Sequence, residues 1–436
     1  LPRLNGAEIE DRFDYYLGLV KRGVIGFIVF GGELETVRTG IKKLRQASDK
    51  PLMIASDLEQ GLGQQIKGGT LFPPAMAIAS ALKDADRQQA SLLLKKLYSA
   101  FALEAGYAGI NTILAPVLDI NTNPENPIIA TRAFGEDAET VSFFGCEMIK
   151  VLQGNDIMAC GKHFPGHGDT ETDSHISLPS IKRGLPYLEN NELKPFKRAI
   201  DTSVKMIMLG HLSVPAIDPS GLPLSISAKA VGYLKDGMGF NGVIITDAMN
   251  MGGISEYTEE EASLIALKAG VDIILHPADA DKVASYLKDS NYLPQPLDIA
   301  LPQSAANAYP DFPGHRELSE GLTRMAVRTD GDIGIKKPFV VVLNDEHNEK
   351  GMPFIDALRR RYPDIRHRSI SPDEDMPWRT IPQDDDLIIC IFSQVKAWKG
   401  RTSAWLRKNI DAAKDRAMVF ISFGNPYLLN SIRGHT

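Results

Sequence analysis

The densest run of reactive side chains in this 436-residue chain is GKHFPGHGDTETDSHISLP, Gly161–Pro179. It contains Lys162, His163, His167, Asp169, Glu171, Asp173 and His175. It begins at the end of an apolar, strand-like run and continues as a loop rich in Gly, Thr, Ser and Asp. Loops held by a rigid scaffold are where catalytic and binding groups collect; the plain alternative is a solvated loop whose charges serve solubility. Two chemistries fit. His163, His167 and His175, with carboxylates nearby, have the ligand types of a metal site. In Asp173-Ser174-His175, a bend would let the carboxylate accept a hydrogen bond from one ring nitrogen, orient the imidazole and stabilise its protonated form. The other nitrogen would then exchange a proton near neutral pH.

Three further segments carry candidates. GVIITDAMNM, Gly242–Met251, ends a buried run on Asp247. A carboxylate there is costly unless it is paired or used. It suits nucleophilic attack on an anomeric carbon, while capping of a following helix is the competing reading. ASDLEQG, Ala55–Gly61, places Asp57 at a strand end with Glu59 just beyond, suited to accepting hydrogen bonds from sugar hydroxyls or to capping a turn. In Asn121–Asp137, Arg132 suits a bridge between carboxylates or a contact to a sugar oxygen; a lone Arg is by default a surface ion-pair partner.

These residues need a scaffold that presents strand ends together. Short, nearly continuous apolar runs recur at Gly26–Phe30, Pro51–Asp57, Ile110–Ile120, Ile157–His163, Val204–His211, Gly242–Ala248 and Val271–Pro277. Amphipathic stretches such as Arg87–Ala105 and Thr258–Ala269 lie between them. Continuous hydrophobicity indicates strands covered on both faces, and repeated βα units indicate a parallel sheet. Asp57, Asp119, Lys162, His163, His211, Asp247 and His276 all fall at or near the C-terminal ends of these runs. That distribution favours a (β/α)8 TIM-like barrel over an open sheet, because barrel sites are built on that face. Seven strands are visible, and Leu1–Asn5 reads as the clipped end of the first. Residues 1–300 are expected to form the barrel and 301–337 a connection. Residues 338–436 are expected to form a smaller α/β sandwich domain with strands at 339–345, 365–371, 386–394 and 417–426 and helices at 352–361 and 402–416. The chain stops soon after the last strand, which leaves that domain open to being incomplete.

Composition narrows the classes. The 43% hydrophobic and 24% charged fractions are those of a globular protein, and the net charge of −7 argues against a nucleic-acid or anionic-membrane partner. No apolar run approaches the ~20 residues that span a bilayer. The three cysteines, Cys146, Cys160 and Cys390, have neither metal-type spacing nor a disulfide framework and read as buried thiols. The N-terminus shows no signal peptide, so the compartment, cytoplasmic or exported, is not legible; neither is the oligomeric state.

Taken together, the motifs resemble glycoside hydrolase family 3, in its bacterial β-N-acetylglucosaminidase branch, across almost the whole chain. The specific match is Lys162-His163-Phe164-Pro165-Gly166-His167-Gly168 followed by Asp173-Ser174-His175 and Pro179, with Ile245-Thr246-Asp247-Ala248-Met249 as a second. The resemblance implies Asp247 as nucleophile and the Asp173–His175 dyad as acid/base. It also implies Asp57, Arg132, Lys162 and His163 around the terminal sugar, and His211 in support of that subsite. No cofactor or metal is implied. The implied substrate is a small carbohydrate ending in β-linked N-acetylglucosamine, such as a muropeptide fragment. The chain departs from the family at Glu59-Gln60-Gly61-Leu62-Gly63-Gln64-Gln65, where two glycines and an arginine usually follow the acid. Alternatives are a phosphorylase acting on the same glycosides or another family-3 β-glycosidase. From different classes come a metal-dependent barrel hydrolase and a sugar-binding protein without catalysis.

Overall fold

The computed structural model describes residues 1–170, 174, 176–292, 299–302, 308–327, 334–345, 351–372, 374, 376, 378–393 and 403–430. Contacts group the chain into two units: Leu1–Asn123 with Arg132–Val327, and Pro124–Thr131 with Arg328–Thr436.

The first unit is built on eight parallel strands in sequential order: β1 Arg3–Asn5, β2 Gly26–Phe30, β3 Met53–Ser56, β4 Thr112–Ile113, β5 Met158–Phe164, β6 Met206–Leu209, β7 Val243–Ala248 and β8 Ile273–Leu275. The ring closes through backbone: the Leu1 nitrogen lies 2.8 Å from the Ile274 carbonyl, and the His276 N–H donates to the Leu1 carbonyl at 2.9 Å. The expected barrel is therefore present, and its first strand is supplied by Arg3–Asn5. The run Ile110–Ile120 forms ladder only at Thr112–Ile113. Pro116 has no N–H to donate, and pairing with β5 resumes at Val117 opposite Lys162.

Alternation along the strands explains why each run is apolar throughout. Met53 and Ala55, Met158 and Cys160, Met206 and Met208, Val243 and Ile245, and Ile273 and Leu275 pack into one cluster inside the ring. Their neighbours Ile54, Ala159, Ile207, Leu209 and Ile244 pack outward against the helical layer. Two apolar faces per strand leave polar residues only the strand ends. The helices carry the local signals that start and stop them. Asp86 caps Arg87–Ala108 by accepting from the Gln89 N–H, and Gly109, at φ +88°, ends it in the left-handed conformation that glycine adopts without penalty. Thr258 and Glu261 form a capping box at the start of Glu259–Ala269.

Within 301–337, helix Phe312–Ala326 belongs to the first unit. Phe312 and Leu322 join its core, and His315 Nδ1 lies 2.7 Å from the buried Glu104 carboxylate, which also accepts from the Thr70 N–H and hydroxyl.

The second unit contains β9 Pro338–Asn344, β10 Arg366–Ile370, β11 Asp386–Ser393 and β12 Val419–Gly424, all parallel, in the order β10-β9-β11-β12. Val341 and Leu343 pack with helix Ala404–Ala413 on one face; Val340 and Val342 pack with Ile355 of helix Met352–Arg359 on the other. This is the doubly wound pattern.

The tightest inter-strand approach in the barrel involves Gly26, where a Cβ would lie 1.7 Å from the Met53 carbonyl oxygen. Gly26→Ala must push β2 away from β3. Thermal unfolding of the variant is expected to show a destabilisation of at least about 1–3 kcal/mol.

Candidate active site

The inward alternation that fills the barrel continues past the last apolar layer. Two residues beyond Ala55, Cys160 and Ile245 stand Asp57, Lys162 and Asp247, so the same face that packs the interior presents these three charges at the mouth. Lys162 has almost no exposed side chain (3%), yet its ammonium is held by Asp57 Oδ1 at 2.7 Å and Glu59 Oε1 at 2.8 Å. Glu59 also receives a two-pronged contact from Arg132, Nε to Oε2 at 2.9 Å and a terminal nitrogen to Oε1 at 2.8 Å.

The electrostatics follow from this pairing. Burial alone would drive the Glu59 carboxyl toward its neutral form, but Arg132 and Lys162 outweigh it and hold it well below the usual carboxylate range. Burial likewise opposes the charge on Lys162, and Asp57 and Glu59 overcome it and raise its pKa. Buried charges at this density persist only when mutually paired.

A second knot hangs on Asp119. Its carboxylate lies 2.7 Å from His163 Nδ1 and accepts from the backbone N–H groups of His163 and His167 at 3.2 and 2.7 Å. Burial favours protonation of Asp119, but His163, then His167, keeps its pKa low. Adjacent residues on a strand normally face opposite ways, yet Lys162 and His163 both serve the site. The register between β5 and β6 shifts between Gly161 and Phe164, and such an irregularity re-aims side chains. His163 Nε2 sits 3.5 Å from Arg132, which joins the two knots.

His167 is buried, and burial lowers its pKa to about 4, so it is neutral at pH 7. Its ring nitrogens meet Thr170 Oγ1 at 2.7 Å and Ser174 Oγ at 2.9 Å. Ser174 is fully buried, and its carbonyl accepts from the Gly253 N–H at 2.7 Å, on the segment that follows Asp247. Gly168 passes so close to β4's extension that a Cβ would lie 1.7 Å from the Ile120 carbonyl oxygen.

Asp247 ends β7 half-buried, with Oδ1 accepting from the Ala248 N–H at 2.8 Å. His211 is fully buried. Its nitrogens lie 2.6 Å from Ser225 Oγ and 3.0 Å from the Ala248 carbonyl, so it braces the Asp247 segment from behind. Asp173 and His175 lie outside the described residues. The structure thus brings Asp57, Arg132, Lys162, His163 and Asp247 to one barrel mouth. It adds Glu59, read from the sequence as a sugar-hydroxyl acceptor or turn cap and found paired with Lys162 and Arg132, and Asp119, noted there only as a strand-end acid. Their signal was position, each lying at or just past an apolar run. Ser174 had no signal at all.

Two of the three histidines of the metal reading, His163 and His167, already have ring partners. His167 is engaged at both nitrogens, and His163 is held by Asp119 at one nitrogen and faces a guanidinium at the other. A strand-end carboxylate such as Asp247, beside mutually paired charges, is of the type that can act as a nucleophile toward an anomeric carbon.

Glu59→Gln should leave Lys162 and Arg132 short of one negative charge and lower thermal stability at pH 7. In the wild type the Glu59 pKa is depressed on folding. Its contribution is therefore present above the usual carboxylate pKa and fades as pH falls, because the unfolded chain takes up a proton that the folded chain refuses. Melting curves from pH 7 to pH 3 are expected to show the wild type losing its advantage over Glu59→Gln as acid is added.

Comparison with known proteins agrees with this architecture. Residues 15–298 match the glycosyl hydrolase family 3 N-terminal domain. Beta-hexosaminidase A of Pseudoalteromonas piscicida is 32% identical over 341 residues, covering 68% of this chain and 56% of that protein, so the present chain spans little over half of that relative's length. A beta-hexosaminidase of Chromobacterium violaceum is 34% identical over 269 residues, covering 61% of this chain and 75% of the relative. A glycoside hydrolase family 3 beta-N-acetylglucosaminidase structure from Paenibacillus sp. superposes with a TM-score of 0.77 at 24% identity, covering 99% of this chain and 89% of that one, a likeness of fold. With an eight-stranded barrel whose mouth gathers these charges, and a family match over most of the barrel, the chain belongs to glycosyl hydrolase family 3.

Proposed function

We propose that this protein is a retaining exo-β-N-acetylglucosaminidase that releases terminal β-linked N-acetylglucosamine, with muropeptide fragments as the substrate class. One observation carries the reading: a strand-end carboxylate, Asp247, shares a barrel mouth with a fully paired Asp57–Lys162–Glu59–Arg132 network, in a chain about a third identical to beta-hexosaminidases.

Asp57, Lys162, Arg132 and His163 bind the hydroxyls of the terminal sugar. His175 donates a proton to the glycosidic oxygen as Asp247 attacks the anomeric carbon, and the aglycone leaves protonated. A glycosyl ester on Asp247 results, through an oxocarbenium-like transition state. Neutral His175 then takes a proton from water, whose oxygen displaces Asp247 with retained configuration. Asp173 orients the imidazole and stabilises its charge. Support for the dyad acting at this sugar comes from Ser174, the residue between its members, which is hydrogen-bonded to His167 and to Gly253 downstream of Asp247. His211, bonded to the Ala248 carbonyl, supports the nucleophile segment and through it the sugar subsite.

His175→Ala should slow turnover on natural leaving groups by about 10²–10⁴-fold, while release of an activated aryl leaving group in the first step stays near wild type; equal losses on both substrates rule out the acid role. Asp247→Asn should bring turnover of an aryl β-N-acetylglucosaminide to background in the same assay. Running the wild type with and without inorganic phosphate and identifying the product as free sugar or sugar phosphate separates hydrolase from phosphorylase.

A further inference from the structure

Five strands of the barrel supply the groups already assigned: β3 through Asp57, β4 through Asp119, β5 through Lys162 and His163, β6 through His211, and β7 through Asp247. The remaining arc, β8, β1 and β2, carries His276 just past β8, Arg3 at the start of β1 and Phe30 at the end of β2, and no side chain of it has been assigned above.

His276 follows Leu275, which points into the barrel interior, so simple alternation would turn its side chain outward. It does not follow that pattern. Its backbone is left-handed, at φ +47°, a conformation that side chains other than glycine and a few polar residues rarely adopt and that marks functional positions more often than chance. The turn brings the imidazole to 5.6 Å from the Phe30 ring, centroid to centroid. Phe30 itself packs on the interior layer, two residues above Ile28, which places the pair at the top of the barrel. The Arg3 guanidinium lies 5.1 Å from the same Phe30 ring. The backbone of His276 is fixed as well, since its N–H is one of the bonds that close the barrel. His276 is half-buried and close enough to Asp57 and Arg3 to feel both charges.

Resting on the terminal-sugar site proposed for this protein, we propose that His276, seated against Phe30, is a further substrate-contacting residue that hydrogen-bonds the 4- or 6-hydroxyl of the terminal sugar on the Asp57 side of the mouth. An exo-acting pocket must be walled around the end of the sugar remote from the bond that breaks, and this arc is the wall that Asp57 alone does not complete. Burial, then the neighbouring Arg3 charge, lowers the imidazole pKa to about 4. The ring is therefore neutral across the working pH range, with one nitrogen to donate and one to accept, which matches the double character of a hydroxyl. The apolar face of Phe30 beside it suits the C–H surface of a pyranose.

The test compares wild type, His276→Ala and His276→Asn on three aryl glycosides: β-N-acetylglucosaminide, its 4-epimer and its 6-deoxy analogue. His276→Ala is expected to lose roughly tenfold in kcat/KM on the parent sugar, the worth of one hydrogen bond to substrate. The loss should be smaller on whichever analogue has lost or moved the contacted hydroxyl, and His276→Asn should recover part of it. Equal losses on all three substrates, or none on any, overturn the proposal. Calorimetric binding of free N-acetylglucosamine to the same three proteins keeps the test separate from the hydrolase reading. A wild type that binds the sugar but turns over no glycoside sinks that reading and leaves the His276 contact to be judged on affinity: a weaker His276→Ala complex supports it, and an unchanged one refutes it.

Discussion

The ammonium of Lys162 sits where water hardly reaches, and the rest of the barrel mouth is organised around neutralising it. An isolated charge in that position would lose far more in hydration than the fold could spare. Asp57 and Glu59 remove the problem for Lys162 and create one for themselves, since two carboxylates beside one ammonium repel each other. Arg132 settles that balance by clamping both oxygens of Glu59. A planar guanidinium is suited to this role because its two contacts fix direction as well as distance. The outcome is a set of polar groups held rigid before substrate arrives, so that a sugar hydroxyl meets fixed partners rather than reorganising them.

Such a network also dictates what the backbone must do. Asp57 and Glu59 follow β3, Lys162 belongs to β5, and Arg132 comes from the long connection between β4 and β5. Strict alternation on β5 would give the site either Lys162 or His163. The shift in register there admits both, and Asp119 then anchors the turn of chain from His163 to His167. From His167 the tie passes through Ser174 to Gly253. His167 and Ser174 are thereby tied to Asp119 on one side and to Gly253, beyond Asp247, on the other. A chain of hydrogen bonds through neutral His167 transmits position without adding charge to a crowded site.

The apolar architecture carries out the complementary task. Because strands β2 to β8 are largely buried on both faces, charged groups are confined to positions near the strand ends, and the parallel arrangement puts all the C-terminal ends at one rim. The second unit applies the same rule with an open sheet. Asp345, just past β9, accepts from Ser393 at the end of β11 and from the Ser403 hydroxyl that caps helix Ala404–Ala413. There a carboxylate accepts from two hydroxyls, tying the end of β11 and the start of the helix to the end of β9.

The identity of most strands, the burial of most barrel strands on both faces, the helices read at 87–105, 258–269, 352–361 and 402–416, and the strand-end positions of Asp57, Lys162 and Asp247 were written in local sequence. Their causes act over a few residues: alternation, capping side chains, glycine at a left-handed turn. The limits of β4 were less legible, because Pro116 interrupts a run whose hydrophobicity does not change. What no local rule specified was partnership. That Glu59 answers to Arg132 across 73 positions, that Asp119 holds both His163 and His167, that His211 meets Ser225 and Ala248, and that His276 lies against Phe30 depend on ring closure bringing distant strand ends within reach. Electrostatic pairing and burial are properties of that three-dimensional neighbourhood, so they came into being only with the folded barrel.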